Sequence, residues 1–275
     1  MNPVIPPKKM FSAFRSILRE SGFRKWRLLS AIRAWPGYVA DRHRFREALG
    51  DIADDFSWGN ELPILTEKIE ASGGLGAYLL QDLTVARWIR EDAPTKHFDV
   101  GSRIDGFVCN VAAFREIEVI DIRPAPGEIP GVVFHRCDIM GKCPPEWENS
   151  MPSLSCLHTV EHFGLGRYGD PIDPSGHDKG LVRLKAMVEP GGMFYLSTPI
   201  GTQRIEFNAH RIFAAATVLG WFGEGWEIER FAVIRDDATI WAEQPRDEVS
   251  VAGNFGCETG VAIIAARKTA NADTR

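Results

Sequence analysis

The sequence predicts an α/β protein: a doubly wound, mostly parallel sheet preceded by a basic helical extension. Two observations predict the sheet. Short apolar strands alternate with helical stretches from residue 98 to residue 222, and such alternation builds parallel sheets with helices on both faces. The stretch Lys96 to Gly106, KHFDVGSRIDG, reads as a strand, a sharp glycine turn and a helix over Asp105 to Phe114. A turn of that kind at the carboxyl end of a first parallel strand is where open α/β sheets bind nucleotides. A third observation, uneven charge, predicts the extension. Residues 1–47 hold 11 Lys+Arg against 3 Asp+Glu, a net of +8, while the whole 275-residue chain carries −5.

Taken in order, the arm comes first. Phe11, Phe14 and Leu18 repeat at helical spacing, then Ser21-Gly22 interrupts. Leu28, Ile32 and Trp35 repeat again, and Pro36-Gly37 interrupts. A basic amphipathic surface suits an anionic membrane face. The other use of such a surface is packing on the domain or on a second subunit. Residues 51–76 read as a connector with one short helix, which divides the chain into an extension, 1–50, and a domain, 51–275. Ala77 to Glu91 is a helix with a broad apolar face from Leu79, Leu80, Leu83, Ala86 and Trp88.

The alternation then runs regularly. Strands are expected at Glu116 to Ile122, Val132 to Cys137, Leu154 to Val160 and Met193 to Thr198. Helices are expected at His177 to Val188, stopped by Glu-Pro-Gly-Gly, and at Asn208 to Phe222. Trp226 to Arg235 and Gly260 to Arg267 close the chain as two strands with a polar loop between them, hence an antiparallel hairpin.

Composition bounds the function classes. At 44% hydrophobic residues a sizeable core can form. No run approaches the roughly 18 apolar residues of a membrane span, and MNPVIPPKKMFSAF lacks the apolar stretch of a signal peptide. Five cysteines without a CxxC pair read as core thiols of a reducing cytosol, so a cytoplasmic protein is expected, with contact at the inner membrane face left to residues 1–47. Nothing points to nucleic acid, and the oligomeric state is open.

The chemistry sits at strand ends. Gly101 lets the backbone turn without a Cβ in the way. Asp121 ends the second strand 20 residues after Gly101, with Ile122 next to it; an acid there meets the two ribose hydroxyls of a bound nucleotide. Asp138 ends the third strand, where it can accept from the exocyclic amine of a purine while Ile139 lines the ring. A nicotinamide dinucleotide would call for GxGxxG after the first strand. Here the turn is Gly101-Ser102-Arg103-Ile104-Asp105-Gly106, with Arg103 where the second glycine belongs.

Asp99-Val-Gly101, Val119-Ile-Asp121, Cys137-Asp138-Ile139 and Glu189-Pro-Gly-Gly192 before an apolar strand resemble the class I S-adenosylmethionine (SAM)-dependent methyltransferases. More narrowly, HFDVGSRIDGF, EVIDIRP, HTVEHFGLGRYGDPIDP and FNAHRIF resemble a methyltransferase-like family catalogued as domain of unknown function 268, over about Phe56 to Lys268. The resemblance implies a seven-stranded sheet with an antiparallel last hairpin. It implies SAM as cofactor, held by Asp99, Gly101, Ser102, Arg103, Asp121, Ile122, Asp138 and Ile139. Arg103 is expected to pair with the methionine carboxylate. Polysaccharide biosynthesis, the family's usual context, implies a sugar hydroxyl or another glycan or small-molecule acceptor. A module that binds SAM without turnover, and an NAD-binding oxidoreductase, are the alternatives.

After the fourth strand comes His158-Thr-Val-Glu161-His162. As HxxEH it also matches an inverted zinc-peptidase motif. That motif needs a helix, whereas GLGRYGDP beyond it is full of turn residues, so no metal is expected. In the methyltransferase arrangement the three side chains lie beside the transferred methyl group. His162 is the expected general base, Glu161 its orienter, and His158 the more structural member. Gly164 to Pro174, with Arg167, Tyr168, Asp170 and Asp173, suits a lid or acceptor wall. Asn208, His210 and Arg211 follow the fifth strand at the same rim.

Overall fold

The computed structural model describes residues 25–49, 63, 65, 76–125, 127–207, 209–242 and 246–270. The apolar repeat at Phe11, Phe14 and Leu18 and nearly all of the expected connector lie outside them. The chain divides into two units, 1–74 and 75–275.

In the first unit one helix, α1 (Lys25–Leu49), continues through Pro36 and Gly37 instead of stopping there. Proline removes one donor from the ladder, but the helical course resumes and carries basic residues to its last turn at Arg46. Leu28, Ile32, Trp35 and Phe45 are exposed along it. No described helix is long and apolar enough to cross a membrane.

The second unit opens with α2 (Ala77–Asp92). Then follow β1 (Phe98–Val100), a wide turn at Ile104–Val108, α3 (Cys109–Ala112), β2 (Ile117–Asp121), β3 (Val132–Arg136) and β4 (Met151–Leu157). Next come α4 (Gly176–Met187), β5 (Val188–Ile200), β6 (Arg204–Glu206), β7 (His210–Ile212) and α5 (Ala215–Gly220). The chain ends with β8 (Trp226–Ile234), β9 (Ile240–Ala242), α6 (Glu248–Ala252) and β10 (Gly260–Lys268).

The main sheet runs β3-β2-β1-β4-β5-β10-β8-β9. The pairs from β3 to β5 are parallel. β10 inserts antiparallel between β5 and β8. This is the sheet implied by the methyltransferase resemblance, with β9 added as an eighth strand on the free edge of β8. By sequence pattern β9 falls within the polar loop between the last two expected strands. Asp237 turns the chain there, its Oδ1 accepting from Thr239 N at 3.0 Å and Thr239 Oγ1 at 2.6 Å.

Period-2 alternation sends successive side chains to opposite faces. Phe194 and Leu196 join a core under α4 and α5 that includes Leu181, Leu184 and Val218. Met193 and Tyr195 join a second core under α2 and α3 that includes Val85, Ile89, Phe107 and Val111. With both faces covered, the central strands are largely apolar, as buried parallel strands are, with Asp99, Ser153, Ser155 and Ser197 among the buried polar exceptions.

Three expected elements change. The helix expected over Asp105 to Phe114 breaks at Gly106, which has non-helical dihedrals of −133° and −108°. The fourth strand ends at Leu157, not Val160, because His158 takes a left-handed φ of 48°. The helix expected from Asn208 is instead the hairpin β6–β7 followed by a short α5. Alternation in Arg204–Glu206 and His210–Ile212 lets the two segments pair, and Phe213 N donates to Pro199 O at 3.1 Å. Gln203 Oε1 then accepts from Ala214 N at 3.3 Å and from Thr217 Oγ1 at 2.8 Å, so the helix starts only there.

Candidate functional site

The carboxyl ends of β1 to β4 face one small cavity of ≈ 60 Å³. Among the residues named from sequence, Gly101, Asp121, Ile122, Asp138, Ile139, His158, His162, Tyr168 and Asp170 line it. Gly101 has a φ of +75°, and a Cβ there would lie 2.5 Å from Thr159 Cγ2. The β1 turn can therefore press against the β4 turn only through glycine.

Asp99 does not reach the cavity. It is fully buried and braces the turn. Its Oδ2 accepts from Ser102 N at 3.0 Å; its Oδ1 accepts from Ser102 Oγ at 2.8 Å and from Ser155 Oγ at 2.5 Å. Because Ser155 gives its proton to Asp99, its oxygen accepts from His97 Nε2 at 3.1 Å, and His97 Nδ1 accepts from Ser153 Oγ at 2.7 Å. Burial pushes the Asp99 carboxyl up to about 6 and His97 down to about 3. Ser102 and Arg103 line a neighbouring groove that shares Asp121. The exposed Arg103 guanidinium forks onto Asp105, at 3.0 Å and 2.7 Å.

The turn after β4 carries the titratable groups. His158 N is fixed by Ser197 O and Ser197 Oγ, both at 3.1 Å. Its Nδ1 donates to Glu161 Oε1 at 2.8 Å, and its ring packs on Tyr78 at 4.8 Å. His158 Nε2 and Glu161 Oε2 are buried without a hydrogen-bond partner among the described residues. Glu161 was expected to orient His162; it meets His158 instead, and His162 Nε2 stands 3.9 Å from Glu161 Oε1.

His162 is oriented by the β6–β7 hairpin. Its Nδ1 lies 2.7 Å from Ala209 O. A carbonyl only accepts, so Nδ1 holds the proton and Nε2 of the neutral ring holds a lone pair. Burial pushes the His162 pKa down, against the pull of Glu161 and with help from Arg167 and His210. The neutral, base-competent ring is thus the form present near neutral pH. The hairpin is fastened by Arg211, 3% exposed, whose guanidinium donates to Phe163 O at 2.6 Å, Glu161 O at 3.3 Å and Pro174 O at 3.2 Å.

Within the Gly164 to Pro174 loop, Asp170 is a brace that also faces the cavity. It accepts from Gly164 N at 2.8 Å, Gly166 N at 3.1 Å and Tyr168 N at 3.1 Å. Asp173 is spent on Ser175 and Lys179. Arg167 donates to Ala209 O at 2.9 Å and lies over the Tyr168 ring. His210 lies off the cavity, its ring 6.3 Å from His162. Asn208 lies outside the described residues. Both imidazoles of the HxxEH stretch spend Nδ1 on protein partners in a loop and a single short turn, Val160–His162. Among the described residues no three His, Cys, Asp or Glu side chains gather as a metal-ligand set.

Sequence reasoning missed four contributors. Tyr78 and Asp82 lie at i and i+4 of α2, the spacing of one helix face. Asp82 Oδ2 comes so near Gly106 that a Cβ there would lie 2.7 Å away, and burial raises the Asp82 pKa. Gln81 accepts from Ser197 Oγ at 2.5 Å and so ties α2 to β5. Arg123, two residues beyond Asp121, binds that carboxylate through its side chain. A polar pair in an apolar helix and a cation beside an acidic strand end were the available signals.

Residues 142–234 match the family described as Caenorhabditis protein of unknown function, DUF268. No curated protein matches the chain. Solved structures similar to it include the [4+2]-cyclase SpnF, at 16% identity, covering 68% of this chain and 80% of that one with a TM-score of 0.46. The N-methyltransferase NodS from Bradyrhizobium japonicum is 14% identical, covering 69% and 84%, with a TM-score of 0.45. The Burkholderia thailandensis 1,6-didemethyltoxoflavin-N1-methyltransferase is 12% identical, covering 98% and 93%, with a TM-score of 0.43. At these scores the likenesses add nothing to what the sheet order says. The family match and the sheet agree with the resemblance read from the sequence.

Proposed function

We propose that the cavity is a SAM site and that the protein transfers the methyl group to an oxygen acceptor, a sugar hydroxyl being the leading class. What supports the reading is the convergence of Gly101, Asp121, Asp138 and His162, from four successive strand ends, on one cavity. The residues fit the group. Asp121 would accept from ribose hydroxyls and Asp138 from the exocyclic amine, with Ile122 and Ile139 against the base. Bound SAM supplies an electrophilic methyl group on a sulfonium centre.

The chain's own work is placement and one proton. A hydroxyl is a poor nucleophile until its proton begins to leave, and His162 Nε2 carries the lone pair to take it. Ala209 O holds the ring so that this nitrogen keeps its lone pair. Glu161, 3.9 Å away, stabilises the imidazolium that forms. His158, clamped by Glu161 and Tyr78, shapes the wall behind. Phe163 and Tyr168 add aromatic surface to the cavity wall. The sugar acceptor rests on the family resemblance alone.

Calorimetric titration with SAM and with NAD tests the first step, and release of S-adenosylhomocysteine over a panel of sugar acceptors tests the second. Binding of SAM with turnover is the expected result. Binding without turnover on any acceptor would leave a SAM-binding module; NAD binding in place of SAM would sink the reading.

A further inference from the structure

A carboxylate offers about four acceptor positions. Three of those on Asp121 are already taken by one residue. Arg123 N donates to Oδ1 at 2.8 Å, Arg123 Nε to Oδ1 at 2.9 Å, and Arg123 Nη2 to Oδ2 at 2.5 Å. One position, on Oδ2, is left. A vicinal diol brings two hydroxyl donors, so at least one existing bond must break.

Which bond yields follows from what each belongs to. The backbone N–H is held in place by the chain, and its bond to Oδ1 braces the turn from Asp121 to Arg123. The guanidinium is on a flexible side chain, 49% exposed, and a half-exposed ion pair is worth little net. The same guanidinium lies over the Tyr168 ring, 4.7 Å from its centroid, and Tyr168 stands edge-on to His162 at 5.4 Å. Arg123 thus spans from a strand-end carboxylate to the Gly164 to Pro174 loop. The cavity beneath holds ≈ 60 Å³, whereas sites for small ligands usually hold about 300–1,000 Å³.

We propose that Arg123 is a displaceable latch of the nucleoside site. Its guanidinium holds Asp121 and Tyr168 together in the closed arrangement and leaves Asp121 when a ribose diol binds. The proposal rests on the SAM reading of the same site. It makes Arg123 a positioning residue: it sets affinity by competing for Asp121, and it links nucleoside entry to the loop beside His162.

The test uses the full chain, its Arg123→Ala and Asp121→Ala variants and the double variant, each checked for fold by circular dichroism. S-adenosylhomocysteine is titrated into all four. Removing the competitor should tighten binding by about 2- to 5-fold, the worth of a half-exposed ion pair. That gain should vanish in the Asp121→Ala background. Equal or weaker binding in Arg123→Ala, or a gain that persists without Asp121, overturns the latch. Hydrogen exchange over residues 164–170 gives a readout that needs no nucleoside. It should quicken in Arg123→Ala, and unchanged exchange also overturns the proposal. If none of the four chains binds S-adenosylhomocysteine, the cofactor reading fails and exchange alone decides the latch.

Discussion

Glu161 gives its carboxylate to His158, with Oε1 2.8 Å from Nδ1, and leaves His162 3.9 Å away. The two imidazoles therefore differ in what fixes them. His158 is locked by a buried carboxylate and by Ser197. His162 is aimed by a backbone carbonyl from the hairpin and keeps a free Nε2.

The first prediction concerns that difference. His162→Ala should lower turnover by roughly 10²- to 10⁴-fold with SAM binding nearly intact. Glu161→Gln should cost stability as well as rate, because it disturbs a clamped pair. If His162→Ala keeps the wild-type rate on the acceptor, the base is another group.

The pH profile carries a second prediction. Burial lowers the His162 pKa from its ordinary 6.5, so the ring stays unprotonated to lower pH than a free imidazole. The acid limb of kcat/KM should have its midpoint below 6.5. A midpoint above it would remove His162 from the base role.

Asp99 gives a stability prediction with a defined sign. Its folded pKa, about 6, lies above the unfolded 3.8. The folded state then binds the extra proton, so this group's favourable contribution is full below 3.8 and is lost as pH rises through about 6. The span is worth about 3 kcal/mol by linkage. His97, held neutral, acts in the opposite direction, so the quantity to measure is the difference between wild type and Asp99→Asn. In urea melts from pH 4 to 7, wild type should lose stability relative to Asp99→Asn. A difference that does not change with pH would show that Asp99 is not titrating there.

Gly164 tests the loop. A Cβ there would lie 1.9 Å from Asp173 O, a backbone atom, at a φ of +77°. Gly164→Ala should cost about 3 kcal/mol from strain and overlap together. A urea midpoint within error of wild type would mean the loop can shift as a body.

The amino-terminal arm is proposed as separate from the cofactor fold. A chain beginning near Asp51 should bind SAM as the full chain does. Retention of the full chain, but not the shorter one, on anionic vesicles at low salt would support membrane contact through residues 1–47. Equal behaviour of the two chains would leave a packing role.

Local pattern determined the sheet and the addresses of the site. Apolar runs of strand length, glycine at the β1 turn and acids at strand ends are set by neighbours in sequence, so they put Gly101, Asp121 and Asp138 on one rim before any contact is known. Pattern failed where pairing between distant segments outweighed local preference. The stretch after Asn208 reads as helix start, but Arg204–Glu206 lies close enough to pair with His210–Ile212 and hold it extended. Side-chain partnership was decided only by tertiary structure. Glu161 is adjacent in sequence to His162, yet the left-handed turn at His158 brings the other imidazole to its carboxylate. Asp99 and Asp121 look alike as acids at strand ends. Burial among Ser102, Ser155 and His97 makes the first a brace, while the open end of β2 leaves the second at the cavity, held by Arg123.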